Sequence, residues 1–479
     1  MSRLVIVSNR VAPITEGKPT AGGLAIGVFD ALKDTGGMWF GWNGEIDAEP
    51  ASAPSIAHRN NVTFATVPLT RRDYNTYYRG FSNATLWPTF HYRDDLTRFQ
   101  RDDYNGYRHV NARFATLLAP LLRPDDLIWV HDYHLLPFAQ ACRHIGIKQR
   151  LGFFLHIPFP SPQVLMTVPP HEALVRAMCE YDLVGFQTEP DRTAFTDYLV
   201  RYAGGALHDD GVVTAYGRTI RTGVYPIGVY PDEIQQQATA RATVKHILDL
   251  KQGLQERKLI MSVDRLDYSK GMLERFRAFE RLLELWPNQQ GTVSFVQVAP
   301  PSRSDVAGYG EIRRQLETEA GHINGRFSDL AWTPLRYINK RYDHEVLMSF
   351  FRASQVGYVT PLRDGMNLVA KEYVASQDPA DPGVLVLSCF AGAAQELDGA
   401  LIVNPYDIDE MAEALRSALN MSLSERQSRY EGMMATLREH NLSTWRDRFM
   451  NDLREPAAPA TPATPATPAL VRCVQPAAA

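Results

Sequence analysis

Two cations lie five residues apart in the segment Val263–Gly271, Val-Asp-Arg-Leu-Asp-Tyr-Ser-Lys-Gly. The apolar run Leu259–Val263 predicts a strand before it, and apolar residues spaced by three or four predict a helix over Lys270–Trp286. Arg265 and Lys270 would then lie between a strand end and a helix N-terminus, which favours a diphosphate site. The alternative is a pair of surface cations that form ion pairs with the aspartates of the same segment.

Two carboxylates stand eight residues apart in a second segment, Thr360–Glu372. This segment follows the predicted strand Val356–Val359, and a helix can start at Met366 after a glycine turn. Asp364 would lie before that helix and Glu372 about two turns into it. Carboxylates accept hydrogen bonds from sugar hydroxyls, so the pair suits an extended sugar ligand. The alternative is an aspartate helix cap and a solvated glutamate.

A third candidate follows the first predicted strand, Leu4–Val7. Arg10 follows this strand after Ser8 and Asn9, and Gly22 and Gly23 precede a stretch, Leu24–Leu32, that can form a helix. Glycines let a backbone approach a ligand closely, and free helix N–H groups favour an anion. The glycine pair alone is equally compatible with a tight loop.

These segments belong to an alternation of short apolar runs and helical stretches, which predicts α/β architecture with parallel sheets. The further runs predicted as strands are Leu127–Val130, Leu151–Leu155, Leu183–Phe186, Val293–Val298 and Val384–Leu387. The alternation restarts near Leu259 after a polar stretch, which places a domain boundary near residue 230. The Pro- and Ala-rich segment Pro456–Ala479 repeats Pro-Ala-Thr and is typical of a disordered tail.

Composition narrows the class of protein. The 479 residues are 45% hydrophobic and 22% charged, which is ordinary globular composition, and the formal net charge is −4. A mildly acidic balance argues against nucleic-acid binding and anionic membrane surfaces. The four cysteines form no CxxC pair and no apolar run is long enough for a bilayer, so we expect a cytoplasmic protein without a membrane partner.

Two motifs invite a metal interpretation that we disfavour. His131 and His134 flank Asp132 and Tyr133, but alternate residues at a strand end point in opposite directions. Asp407-Ile408-Asp409 matches the DxD motif of metal-dependent glycosyltransferases, but an N-cap aspartate explains it better. No metal or other cofactor is therefore expected. Of four tryptophans that could fill a core, we expect Trp87, beside Pro88 in a loop, to line a sugar site.

Long motifs in this chain resemble those of the trehalose-6-phosphate synthases, which are retaining glycosyltransferases of family 20. The motifs that carry the resemblance are Ser8-Asn9-Arg10, Ala21-Gly22-Gly23-Leu24, Leu86-Trp87-Pro88, His131-Asp132-Tyr133-His134, His156-Ile157-Pro158-Phe159-Pro160, Asp264–Gly271 and Arg363–Leu368. They stand in family order and the resemblance covers about residues 2–450. Asp264 stands where a glutamate is also found, and the Pro-Ala-Thr tail is outside the pattern.

The resemblance implies a GT-B fold, with two Rossmann-like domains that have parallel sheets and face each other across a cleft. The expected domains are residues 1–230, completed by a C-terminal helix near 440–455, residues 231–440, and the tail 456–479. The implied reaction transfers glucose from UDP-glucose to D-glucose 6-phosphate with retention, giving α,α-trehalose 6-phosphate and UDP. The implied partners are these two small molecules, and a homo-oligomer is left open.

The resemblance also implies roles for individual residues. Arg265 and Lys270 hold the donor diphosphate and Asp364 holds glucose hydroxyls. The other implied donor residues are Gly22, Gly23, Tyr342 at the uracil, main-chain groups of Met366, Asn367, Leu368 and Val369, and Glu372 at the ribose. The implied acceptor residues are Arg10, Tyr78, Asp132 and Arg303. Trp87 and His156 match residues tied to the α-anomeric outcome, and with Arg265, Lys270 and Asp132 they form the implied catalytic set.

Three alternatives to this activity stay open. Glucosylglycerol-phosphate synthase is a sibling enzyme that uses ADP-glucose and glycerol 3-phosphate, but the matched acceptor residues favour glucose 6-phosphate. A sugar-phosphate sensor without turnover would need a damaged donor site, and the donor motifs here are intact. A nucleotide-sugar epimerase would not need a second sugar-phosphate site. The choice among UDP-, ADP- and GDP-glucose is left open because Tyr342 can stack on any base.

Overall fold

The computed structural model describes residues 2–11, 32, 36–240, 245–255, 257–301 and 309–455. Within these ranges the chain divides into two compact units. The first comprises residues 2–11, 32–225 and 449–455, and the second comprises residues 226–448. The expected domain limits stay a prediction, because the units are defined by contacts and not by independent folding.

The first unit is built on a ten-stranded sheet in the order β3-β4-β2-β1-β5-β6-β7-β10-β9-β8. Its strands are β1 (Leu4–Arg10), β2 (Gly37–Asp47), β3 (Ser55–Arg59), β4 (Val62–Thr70), β5 (Leu127–His131), β6 (Arg150–Phe154), β7 (Leu183–Phe186), β8 (Ala206–Leu207), β9 (Val212–Ala215) and β10 (Arg218–Val224). The strands from β4 to β10 in that order pair in parallel, and β3, β8 and β9 pair antiparallel at the margins. The central strands are almost continuously buried, as expected of a parallel sheet covered on both faces.

Helices connect these strands. They are α1 (Arg71–Asp73), a π-helix (Tyr74–Leu86), α2 (Trp87–Phe90), α3 (Arg101–Leu118), α4 (Phe138–His144), α5 (Pro162–Leu165), α6 (His171–Met178) and α7 (Glu189–Tyr202). The π-helix is long for its kind and runs without a break into α2. Single-turn π-bulges are the usual form and occur frequently at functional sites.

The second unit is built on a six-stranded, all-parallel sheet in the order β13-β12-β11-β14-β15-β16. Its strands are β11 (Lys258–Val263), β12 (Val293–Val298), β13 (Leu335–Ile338), β14 (Val356–Val359), β15 (Val384–Ser388) and β16 (Leu401–Val403). Its helices are α8 (Pro231–Ala240), α9 (Lys245–Leu254), α10 (Met272–Leu285), α11 (Tyr309–Phe327), α12 (His344–Arg352), α13 (Leu368–Ser376), α14 (Ile408–Asn420), α15 (Leu423–Glu439) and α16 (Leu442–Arg454), which ends in the first unit. The apolar core joins α10 and α14 to β11, β12, β14 and β15.

Short 3-10 turns complete the two units. They are Asp94–Leu96, Ala119–Leu121, Tyr133–Leu135, Asp209–Gly211, Tyr268–Lys270, Pro287–Gln289 and Gly392–Gln395.

Two helix starts differ from the expectation. The helix expected from Lys270 begins at Met272, because Tyr268–Lys270 forms a 3-10 turn and Gly271 adopts a left-handed φ of 65°. The helix expected from Met366 begins at Leu368, because Asn367 also has a left-handed φ, of 74°. In both cases the residue before the helix has a positive φ, which is incompatible with a right-handed α-helix, so the helix starts at the next residue.

Candidate active site

The loop that carries Arg265 and Lys270 is packed tightly between β11 and α10. Asp267 accepts a hydrogen bond from the Ser269 backbone N–H at 3.0 Å and so caps the 3-10 turn. A β-carbon at Gly271 would lie 2.3 Å from the carbonyl oxygen of Thr360, so only glycine permits this approach. Arg265 is exposed at the surface of this loop, whereas Lys270 is buried.

Lys270 and Asp364 form one polar cluster. The Lys270 Nζ donates to Asp364 Oδ2 at 2.5 Å, and Asn367 Nδ2 donates to the same oxygen at 3.0 Å. The Asp364 backbone is held as well, with its N–H donating to the Phe390 carbonyl at 3.1 Å. An ammonium has three donors, so Lys270 can bind Asp364 and a phosphate oxygen together.

The aspartates of the 263–271 loop have partners other than its two candidate cations. Asp264 pairs with Arg275 on α10 at 2.7 Å, and Asp267 accepts hydrogen bonds from Ser269 and the Tyr309 hydroxyl. This arrangement contradicts the surface-pair alternative for Lys270. The helix-cap alternative for Asp364 is also wrong, because Asn367 is the N-cap.

The N-terminus of α13 faces the same cluster through its capping residue. The Asn367 side chain accepts a hydrogen bond from the Ala370 N–H at 3.2 Å and donates to Asp364. The first N–H groups of a helix have no partner within the helix, so those of Leu368 and Val369 are available donors by position. This is the geometry that anion-binding helix termini share.

Glu372 lies about one turn after the start of α13 at Leu368, instead of the two turns expected from a start at Met366, and it is held by a residue that sequence reasoning missed. The His344 Nε2 lies 3.1 Å from Glu372 Oε1. Burial lowers the pKa of His344, but the hydrogen bond and the charge of Glu372 outweigh burial and raise that pKa above its ordinary value. Tyr342, two residues earlier, packs edge-on against Phe350 with ring centres 5.4 Å apart. A lone histidine at a helix start offered no signal in the sequence.

Two predicted acceptor residues, Arg10 and Asp132, and the predicted catalytic residue His156 lie at the ends of neighbouring strands of the first unit. Arg10 ends β1, Asp132 follows β5, and His156 lies two residues past β6. These three strands are adjacent and parallel, so their carboxyl ends share one edge of the sheet. Asp132 adopts a φ of 78°, unusual for a residue with a side chain, and its Oδ1 accepts a hydrogen bond from the His156 backbone N–H at 3.3 Å.

Arg10 and Tyr78 meet at an aromatic cluster. The Arg10 guanidinium carbon lies 5.7 Å from the centre of the Trp42 ring, and Tyr78 on the π-helix lies 5.6 Å from the same ring. Tyr78 also stacks on His134, with ring planes only 9° apart. A β-carbon at Gly44, whose φ is 92°, would lie 2.6 Å from an Arg10 nitrogen. Arg10 is therefore confined between Gly44 and Trp42.

Trp87 differs from its expected setting. It begins α2 instead of lying in a loop, because the helical run from the π-helix continues through Pro88 at the permitted first turn. Trp87 is buried, and its ring packs against His91 with centres 4.1 Å apart and against Tyr133 at 5.6 Å. The side chain thus has a fixed orientation in the first unit.

His156 shares a hydrogen bond with His131, between His156 Nε2 and His131 Nδ1 at 3.0 Å. Burial lowers the pKa of His131 well below its ordinary value, with a smaller contribution from His156. Burial also lowers the pKa of His156, to about 3, although its edge stays partly exposed. Both rings are therefore neutral near pH 7, with a single proton in the shared hydrogen bond.

Two of the sequence-based expectations concern metal binding, and a further group of predicted residues lies outside the ranges that the structure describes. Within the described ranges, no cluster of three or more His, Cys, Asp or Glu side chains has a metal-binding arrangement. Asp407 is the N-cap of α14, with its side chain accepting from the Glu410 N–H at 3.0 Å, as predicted. Gly22, Gly23, Arg303 and the tail 456–479 lie outside the described residues.

Comparison with known proteins assigns the chain to a family. The model of glycosyltransferase family 20 matches residues 4–455. A trehalose-6-phosphate synthase of Enterobacter sp. (strain 638) is 54% identical over 454 residues, which are 95% of each chain. No described helix is both long and apolar enough to cross a membrane.

Two solved structures are similar over nearly the whole chain. One is a UDP-forming α,α-trehalose-phosphate synthase from Burkholderia xenovorans in complex with glucose 6-phosphate, with 63% identity, a TM-score of 0.92, and coverage of 95% of this chain and 100% of that one. The other is the E. coli protein bound with UDP-2-fluoro glucose, with 52% identity and the same TM-score and coverage.

The two parallel-rich sheets and these likenesses define a GT-B glycosyltransferase, and the expected fold class is confirmed. The chain belongs to glycosyltransferase family 20.

Proposed function

We propose that this chain transfers glucose from UDP-glucose to D-glucose 6-phosphate, forming α,α-trehalose 6-phosphate and UDP with retention at the anomeric carbon. The family and the reactions named for its relatives support this activity. The structural observation that supports it is the Lys270–Asp364–Asn367 cluster at the N-terminus of α13, which brings a cation and a carboxylate suited to sugar hydroxyls beside a helix start.

Each donor-side residue has a chemical task in this reaction. The bond between the glucose C1 and the diphosphate oxygen breaks, and negative charge develops on the departing UDP. Arg265 and Lys270 stabilise that charge, together with the α13 amides. Asp364 accepts hydrogen bonds from glucose hydroxyls, and Glu372, oriented by His344, binds the ribose. We assign Tyr342 to the base and, from the family resemblance alone, the glycine pair 22–23 to the glucosyl phosphate.

The acceptor side supplies recognition of a sugar phosphate. Arg10 and Arg303 bind the phosphate, with Tyr78 beside it, and Asp132 accepts a hydrogen bond from a sugar hydroxyl. The acceptor hydroxyl oxygen forms the new bond to C1 on the face from which UDP departs, and its proton passes to the leaving diphosphate oxygen. Trp87 and His156 shape the site that holds the glucosyl group in its α configuration.

Purified protein should be assayed with glucose 6-phosphate, glucose or glycerol 3-phosphate against UDP-, ADP- and GDP-glucose, with products identified by mass and NMR. Two hydrogen bonds to a charged phosphate contribute about 3–6 kcal/mol, so glucose should be a poorer acceptor than glucose 6-phosphate by roughly 10²–10⁴ in kcat/KM. Arg10→Ala or Arg303→Ala should remove much of that preference. Equal kcat/KM for the two acceptors would refute the named product.

We further propose that the reaction needs no metal, because Arg265, Lys270 and the helix amides take the role that a divalent cation has in other glycosyltransferases. Activity should survive exhaustive EDTA treatment and gel filtration. Loss of activity that Mg²⁺ or Mn²⁺ restores would refute metal independence and would make Asp409 a candidate ligand.

The free thiols Cys142, Cys179 and Cys389 support a proposal that the protein works in the cytoplasm. Cell fractionation would test this location, and recovery outside the cytoplasm would contradict it.

A further inference from the structure

Arg275 is a buried cation in the second unit that the proposed reaction does not use. It lies on the first turn of α10, and its side chain has no exposed surface. Each of its three nitrogens has a described partner. The partners are Thr360 Oγ1 at 3.2 Å for Nε, Ser262 Oγ and Gln297 Oε1 (3.1 Å) for Nη1, and the Lys270 carbonyl and Asp264 Oδ2 (2.7 Å) for Nη2.

These partners lie on the segments that carry the donor-site residues. Lys270 itself supplies a carbonyl, and Asp264 directly precedes Arg265. Thr360 begins the loop that leads to Asp364. One planar guanidinium therefore connects both loops of the donor site, and its contacts to Ser262 and Gln297 connect them to β11 and β12.

The chemistry of the guanidinium matters to this arrangement. Five N–H groups in a fixed plane can serve five acceptors in different directions, whereas a lysine ammonium has three donors and no fixed plane. Burial raises the pKa of Asp264, and the nearby charges of Arg275 and Lys270 oppose that effect. A buried ion pair alone is weak evidence for stability, so a second role for Arg275 is reasonable.

We propose that Arg275 is a positioning residue for the donor site, holding the 264–271 and 360–364 loops in the register that aims Lys270 and Asp364 at the nucleotide sugar. This inference rests on the proposed function, because it assigns the donor site its ligand. It predicts that removing hydrogen bonds of the Arg275 guanidinium weakens binding of the nucleotide sugar and slows glucosyl transfer, whereas binding of the acceptor does not change.

The test compares Arg275→Lys with a matched control, Arg143→Lys. Arg143 belongs to the other unit and donates hydrogen bonds to two carbonyls and to Asp182, so its replacement removes a similar set of guanidinium contacts outside the donor loops. Misplacement of catalytic groups by about 1 Å can cost roughly 100-fold in rate. We expect Arg275→Lys to lower kcat by about 10- to 100-fold and to weaken UDP binding measured by calorimetry, with the KM for glucose 6-phosphate unchanged. Arg143→Lys should change the melting temperature only.

A second pair keeps the inference testable if Arg275→Lys fails to fold. Thr360→Val removes the acceptor of the Arg275 Nε and keeps the side-chain shape, whereas Thr360→Ser keeps the hydroxyl. Thr360→Val should raise the KM for UDP-glucose and lower kcat more than Thr360→Ser does. The positioning role would be overturned if the wild-type protein turned over UDP-glucose and these variants differed from it only in melting temperature. A wild-type chain that neither binds UDP nor forms product would overturn the proposed function as well.

Discussion

The Lys270–Asp364 pair shows how one contact can serve two ligand groups. The Asp364 carboxylate is held from three directions, by Lys270, by Asn367 and through its own backbone. A carboxylate fixed in this way loses little freedom when a sugar hydroxyl binds to it. The same pair partly neutralises Lys270, whereas Arg265 is exposed, so under the proposed function Arg265 is the more accessible cation for the departing diphosphate.

We expect Arg265→Ala and Lys270→Ala to lower kcat by roughly 10²–10³, which corresponds to about 2.7–4 kcal/mol of lost transition-state stabilisation. The reason is that each replacement removes a donor aimed at developing negative charge. Steady-state kinetics with UDP-glucose and glucose 6-phosphate measures the effect. Arg281→Ala is the control, since Arg281 on α10 makes surface ion pairs with Asp409 and Glu284. A wild-type rate in either donor-site variant would contradict the diphosphate assignment.

The start of helix α13 is determined by one residue with an unusual backbone conformation. Asn367 has a left-handed φ of 74° and caps the Ala370 N–H, so the first turn begins immediately after the donor loop. Asparagine tolerates this conformation better than most residues because its short amide side chain can form hydrogen bonds with the nearby backbone. The cap and the backbone angle together place the helix N-terminus beside Asp364.

Replacing Asn367 separates these two contributions. Asn367→Ala loses the cap and forces alanine into a left-handed backbone, which should cost about 2 kcal/mol, whereas Asn367→Gly costs only a few tenths for the cap and no strain. The midpoint of urea unfolding should therefore be lower for the alanine variant. Both variants lose the hydrogen bond to Asp364 and should raise the KM for UDP-glucose similarly. Equal unfolding midpoints would show that the backbone angle stores no strain.

At the scale of the whole molecule, the His131–His156 pair links stability to pH. Both pKa values are lowered in the folded protein, that of His156 to about 3, relative to about 6.5 in an unfolded chain. Between these values the unfolded state binds more protons than the folded state. Stability contributed by the neutral pair is therefore complete above about pH 6.5 and is lost as the pH falls towards 3.

We expect the free energy of unfolding to fall as the pH decreases below 6.5, with His156 contributing about 1.4 kcal/mol per pH unit down to its folded-state pKa of about 3 and His131 acting in the same direction. Urea unfolding at pH 7 and pH 5 should show this loss in the wild type and a smaller loss in His131→Asn and His156→Asn. His109→Asn is the control because His109 is exposed on α3. A pH dependence that is the same in all four proteins would refute the assignment.

Deleting residues 456–479 should leave kcat and the melting temperature unchanged, because the Pro-, Ala- and Thr-rich composition has little apolar surface to bury. Thermal unfolding and steady-state kinetics of the truncated chain test this expectation. A drop of several degrees in melting temperature would show that the segment packs against the fold.

Several strands and one helix cap could be predicted from the sequence because each depends on a local pattern of residues. The strands Leu183–Phe186, Val293–Val298 and Val356–Val359 have the predicted limits, since a buried parallel strand is a short continuous apolar run. The N-cap role of Asp407 was also predictable, since capping involves residues three apart. The family and its reaction followed from long motifs in order. The assigned roles of the individual site residues stay predictions.

Other features depended on contacts between distant parts of the chain. The marginal strands β3, β8 and β9 have only two to five residues, and β3 is exposed along its whole length, so no long apolar run marked them. The π-helix that carries Tyr78 has no sequence pattern of its own and is formed by packing against α3 and its neighbours. Trp87 was expected in a loop because of Pro88, although proline is compatible with a first helical turn.

What the sequence by itself determined is the alternation of strands and helices, the family motifs and the kinds of side chain available for a sugar nucleotide and a sugar phosphate. Only the tertiary structure decided which of them meet. Lys270 contacts Asp364, 94 residues away, and Arg275 reaches Thr360, 85 residues away. His131 meets His156, and His344 meets Glu372. The physical reason is that periodicity reports which face of an element is buried, whereas side-chain pairing depends on the strand order and register that folding of the whole sheet sets.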